Sequence, residues 1–183
     1  MARHRRGPAP FSAANDYFKY VVFRNPNWDW RTFDLDRDAT LADRIDNGTI
    51  NATSTDLKPF TAHGGKLILY HGWTDTNITP AATIQYLEKL NSQMGGAAET
   101  AQSVRLFMVP GMNHCGGGEG PNVFNMPSAL GRWVEDGKPP DQILASHLTA
   151  GKIDRTRPLC AYPKMARYKG AGDPDDAANF ACR

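Results

Sequence analysis

A chain of 183 residues, 40% of them hydrophobic and 22% charged, has apolar material for one core of ordinary size. Its 21 basic and 19 acidic side chains leave a net charge of +2, too small and too dispersed for a nucleic-acid-binding face. No window nears the roughly 20 apolar residues of a membrane span, so neither nucleic acid nor membrane is an expected partner.

Arg5-Arg6 is followed by Gly7-Pro8-Ala9-Pro10, where a secretory signal would need an apolar run. No signal peptide is therefore expected there. Residues 1 to 58 read as irregular, with Tyr17–Phe23 the one stretch of strand or buried-helix character. Trp28, Trp30 and Phe33 follow in a polar context and are expected to pack together. Asp34-Leu35-Asp36-Arg37-Asp38 opens like a calcium loop, but Ala39 and Ile45 stand where an EF-hand needs Gly and Glu. A solvated acidic turn is expected there.

From Gly64 the pattern sharpens. Lys66–Tyr70 is a short apolar run typical of a strand covered on both faces, and a loop, His71–Ile78, follows it. Thr79 as N-cap and Pro80 at the first position open a helix with Ile84, Leu87, Leu90 and Met94 on one stripe, stopped by Gly95-Gly96. A second strand, Val104–Val109, ends abruptly in Pro110-Gly111-Met112-Asn113-His114-Cys115-Gly116-Gly117-Gly118. A helix around Ser128–Asp136 and a last, more exposed strand at Ile143–Leu148 follow. This alternation of strand and helix over about 85 residues predicts a parallel α/β layer of about three strands with flanking helices. The tail from Asp154 reads as loop, rich in Pro, Gly and Asp.

Asp75 and His114 each lie a few residues past the end of a buried strand, where open α/β sheets hold their ligands. If those strands are neighbours, the carboxylate can hold the imidazole by one nitrogen, leaving the other to move a proton. The order Asp then His is the back half of the Ser, Asp, His order of α/β-hydrolases. None of the six serines sits in a Gly-x-Ser-x-Gly elbow. Cys115 is a poor substitute, because on an extended backbone it points away from the adjacent His114. A metal site from His71, Asp75, His114 and Cys115 is the rival chemistry, but it lacks zinc-ligand spacing, and no metal is expected. His63 and His147 read as surface residues. Of three cysteines, Cys160 and Cys182 flank the tail and can close on each other, leaving Cys115 free or paired outside this chain.

Gly64–Asp75, Arg105–Gly118, Trp133–Pro140 and Arg157–Pro163 together resemble the carboxyl-terminal part of the tannase and feruloyl esterase family, over a span from about Asp16 to the end. The resemblance implies a serine carboxylesterase with an α/β-hydrolase domain and a large lid insertion that often carries calcium. It implies Asp75 as triad acid and His114 as triad base, with the serine in an amino-terminal part not present here. Cys115 matches the family cysteine that pairs with the residue before that serine, and Cys160–Cys182 matches a second family disulfide. Residues 1–58, with Met1–Pro10 expected as a foreign leader, then correspond to the end of the lid and 59–183 to the carboxyl-terminal part of the α/β-hydrolase domain. The implied substrates are small aromatic esters such as gallates or hydroxycinnamates. No cofactor is expected in this chain, and calcium belongs to the absent part of the lid. The implied partner is the remainder of the same enzyme, and the implied location is periplasmic or extracellular. The chain alone is expected to be inactive for want of a nucleophile. The other reading is a catalytically silent remnant that serves, if at all, as an interaction module.

Overall fold

The computed structural model describes residues 10–183, which divide into two compact units, one ending at Ser54 and one beginning at Thr55. The first unit is helical rather than irregular. Ser12–Asp16 (α1) runs into a π-helical stretch, Tyr17–Val22, and a longer helix, Leu35–Asp46 (α2), follows. The acidic run is the start of α2, not a solvated turn. Asp34 accepts from the Arg37 backbone N–H as N-cap, and Asp36 and Asp38 sit at the positive end of the helix. Asn47, in the left-handed region, ends it. Asp38 is fully buried; its carboxylate accepts from the Asp34 N–H at 2.9 Å and from Arg37 Nε at 2.6 Å. The Asp34 and Asp38 carboxylates are thus engaged with the helix backbone and with Arg37. Phe18 packs on Phe33 with centroids 4.9 Å apart, and Phe23 stacks on Trp28 at 5.0 Å.

In the second unit a short helix, Lys58–Ala62 (α3), leads to strand Leu67–Gly72 (β1) and helix Pro80–Gln93 (α4). A helical turn at Ala97–Thr100 (α5) precedes strand Val104–Val109 (β2). Strands β1 and β2 pair in parallel, Leu67 opposite Val104 and Gly72 opposite Val109. Alternation then sorts their side chains by face. Leu67, Leu69, Val104, Leu106 and Met108 pack on Leu87 and Leu90 of α4. Ile68, Phe107 and Val109 pack the other way, on Met126 and Ala129 of the next helix, Met126–Asp136 (α6).

The expected third parallel strand is instead part of an antiparallel sheet. Val123–Phe124 (β3), Gln142–Thr149 (β4) and Lys152–Cys160 (β5) lie in that order, and Ile143 and Ala145 of β4 join the Phe107 core. Ala150 and Gly151 both have positive φ, the geometry of a two-residue hairpin turn, so the chain reverses at once and cannot cross over to a parallel position. The tail is correspondingly not a loop. Its β5 is exposed at first and buried at Pro158–Cys160, and Ala166–Tyr168 (β6) pairs with Phe180–Cys182 (β7). Cys160 and Cys182 form a disulfide.

Candidate active site

The in-register pairing of β1 and β2 brings the two loops at their carboxyl ends side by side, and backbone bonds join them. Trp73 N–H donates to Val109 O at 3.0 Å, and Thr74 donates to Met112 O through its hydroxyl at 2.7 Å. Gly72 makes this approach possible: a Cβ there would run into the Met112 and Asn113 carbonyls. Beyond Met112 the histidine loop closes on itself, with Gly120 N–H on Gly111 O and Asn113 N–H on Gly117 O.

Asp75 and His114 meet across this junction. His114 Nδ1 lies 2.8 Å from Asp75 Oδ2, and because a carboxylate only accepts, Nδ1 carries the hydrogen. The Asp75 side chain is 3% exposed and that of His114 48%, so the acid is covered while the imidazole faces outward with Nε2 unengaged by the acid. Asp75 Oδ1 accepts from the Ile78 N–H at 2.9 Å and the Asn77 N–H at 2.8 Å. The Ile78 N–H, with His114 and Asn77, holds the carboxyl well below the ordinary carboxylate range against the opposing effect of desolvation. The pair borders a cavity of about 90 Å³ walled by Tyr70, Ile78, Met112 and Cys115. None of the serines lines it. A wider groove of about 410 Å³ lies at the other end of β2, by Arg105, Asp141 and Tyr162, and no histidine lines that one.

This arrangement can hold an imidazole in one tautomer and offer its other nitrogen to a hydroxyl, which is the acid–base half of a hydrolytic triad. A model of the tannase and feruloyl esterase family matches residues 8–183. The chain belongs to that family. Over 134 residues, 72% of this chain, it is 54% identical to the mono(2-hydroxyethyl) terephthalate hydrolase of Piscinibacter sakaiensis, spanning 22% of that protein. It is 34% identical to feruloyl esterase C of Talaromyces stipitatus, covering 94% of this chain and 36% of the relative. The crystal structure of feruloyl esterase B from Aspergillus oryzae superposes with a TM-score of 0.84 at 32% identity, covering 96% of this chain and 38% of that one. The chain thus spans well under half the length of these relatives, and its mixed helix and sheet architecture is theirs.

Within this member of the tannase family, the remaining histidines and Cys115 sit as follows. His71 Nε2 lies 3.2 Å from Asp75 Oδ2, and among the described residues no three His, Cys, Asp or Glu side chains are grouped to hold an ion. Cys115 is exposed and free of any disulfide within the chain. The backbone is not extended at Cys115, whose φ is +57°, so the loop turns and both His114 and Cys115 border the cavity. His147 is half-buried on β4, and its Nδ1 meets Asp154 Oδ1 of β5 at 2.6 Å. Sequence reading missed Gly72 and Thr74. Their partners lie about 40 residues away and become visible only once strand register is known.

Proposed function

We propose that this chain carries the acid–base half of a serine carboxylesterase of the α/β-hydrolase type, its first unit being the end of a lid. Asp75 orients His114, and His114 Nε2 takes the proton of a serine supplied by the part of the family domain that precedes these residues in longer relatives. The alkoxide attacks the ester carbonyl, and the protonated imidazole then returns its proton to the leaving alcohol. The roles reverse when water hydrolyses the acyl-enzyme. The observation that carries this reading is the 2.8 Å His114–Asp75 bond at the end of two paired parallel strands, in a chain of this family.

The names of the relatives point to aromatic acyl groups as substrates, with the substrate class as such left to the lid. The Cys160–Cys182 disulfide supports an oxidising, extracytoplasmic location. Exposed Cys115, beside the base, is placed to form a second disulfide with the nucleophile-bearing part. Such a bond would fix the spacing of base and nucleophile, where small errors cost rate. Calcium, if present in the complete enzyme, would belong to the rest of the lid.

The test is ester hydrolysis by this chain joined to the remainder of the family domain, with methyl ferulate and methyl gallate as substrates. H114A and D75N should each lower kcat by about three to four orders of magnitude. Turnover within a factor of a few of the parent in either variant removes that residue from the triad. Equal activity in this chain alone would show a nucleophile other than the one proposed.

A further inference from the structure

The cluster around Asp75 contains a second histidine that the reaction does not use. Alternation along β1 places His71 on the same face as Leu67 and Leu69, toward α4, and its side chain is only 11% exposed. There Nδ1 lies 2.7 Å from Thr83 Oγ1 of α4. Nε2 lies 3.1 Å from Ile78 O and 3.2 Å from Asp75 Oδ2, the oxygen that also accepts from His114. The chemistry of these neighbours assigns the hydrogens. A backbone carbonyl and a carboxylate both only accept, so His71 Nε2 must be protonated. The Thr83 hydroxyl can donate, so it serves a bare Nδ1.

We infer that His71 is a positioning residue. Held by hydrogen bonds to Thr83 Oγ1 and Ile78 O, it keeps its Nε2 in contact with Asp75 Oδ2 at 3.2 Å and so keeps the carboxylate where the catalytic imidazole needs it. The inference rests on the reading of Asp75 and His114 as acid and base. Two N–H groups from the loop fix Oδ1, but they leave the carboxylate free to tip about that oxygen. His71 supplies the contact that stops the tipping, and it comes from β1 itself, a paired strand, rather than from the loop. Positioning groups on regular elements hold geometry better than those on loops. A residue acting this way makes its effect felt at His114: with Asp75 tipped, the neutral His114 ring has no reason to keep its hydrogen on Nδ1.

The experiment is long-range ¹H–¹⁵N NMR of the full 183-residue chain, ¹⁵N-labelled at histidine, at a pH where the rings are neutral. In the wild-type chain His114 should appear as the Nδ1–H tautomer and His71 as the Nε2–H tautomer. In H71A, His114 should shift to a mixture in which Nδ1–H is the minority. H71Q, whose side-chain amide places an N–H close to the lost Nε2–H, should restore Nδ1–H as the main form. His114 unchanged in H71A, or a shift that H71Q fails to reverse, overturns the positioning role while leaving the Asp75–His114 pair intact. Wild-type His71 in the Nδ1–H form overturns it without any variant, which decides the matter should H71A not fold. Wild-type His114 in the Nε2–H form is a different failure: it removes the pair itself, and the proposed esterase chemistry with it.

Discussion

Asp75 carries three hydrogen-bond donors on two oxygens: Asn77 and Ile78 N–H on Oδ1 and His114 on Oδ2. Every one of them favours the charged carboxylate, and the carboxyl is accordingly held well below its ordinary value, the Ile78 N–H contributing most. In the unfolded chain the same group titrates near the usual value of about 3.9. A folded pKa below the unfolded one means that Asp75 stabilises the fold fully above that value, and that its contribution fades as pH falls toward the folded pKa. Comparing the wild-type chain with D75N by denaturant unfolding should therefore give a stability difference that is widest above about pH 5 and shrinks below about pH 4. A difference that stays constant across that range would mean the donors do not distinguish the ionised group from a neutral amide.

The two strand ends that carry the site are fastened to each other more tightly than a two-stranded pair requires. Trp73 and Thr74 reach across to Val109 and Met112, and Gly72 leaves room for the Met112–Asn113 backbone to close in. In G72A the added methyl meets carbonyls of the partner loop rather than a yielding side chain, so the loop itself must move. Overpacking of this kind costs about 1–3 kcal/mol, and denaturant unfolding should register a loss of that size. A variant as stable as the wild type would show that the junction gives way without cost. At this scale the sequence was legible where a single period ran between clear stops. β1, β2, α4 and α6 all have apolar stripes bounded by Gly or Pro. Strand β5 was not, because Asp154, Arg155 and Pro158 interrupt its alternation and its pairing depends on the positive φ of Ala150 and Gly151. α2 was hidden for the opposite reason. Its Asp34, Asp36 and Asp38 read as a solvated acidic turn until one sees that Asp34 caps a helix and Asp38 binds Arg37.

Across the second unit, the Asp75–His114 pairing was readable as two residue types on matched strand ends, but the support behind it was not. The register that joins Thr74 to Met112 and the face that turns His71 toward Thr83 arise from pairing over long separations, which local pattern does not encode. The same is true of the tail. Its last strand pairs with β6, Met165 and Arg183 exchange backbone bonds at 2.9 and 3.1 Å, and Arg157 lies 4.2 Å over the Phe180 ring. Apart from Cys160 itself, buried at the end of β5, these contacts are peripheral, since neither β6 nor β7 contains a buried residue. The disulfide adds a covalent tie to the hydrogen bonds and ion pairs that join Asp175 and Ala177 to Arg155, Thr156 and Arg157 of β5. Closing a loop with a sequence separation of 22 removes chain entropy worth about 3 kcal/mol from the open state. In a C160S/C182S double variant, the Met165 and Arg183 amides should exchange with solvent roughly a hundredfold faster, as about 3 kcal/mol of local opening free energy is lost. The Leu106 amide, in the covered strand β2, serves as the internal reference and should change far less. Equal protection of the tail in both chains would show that the β6–β7 pairing and the Arg157–Phe180 contact hold it unaided.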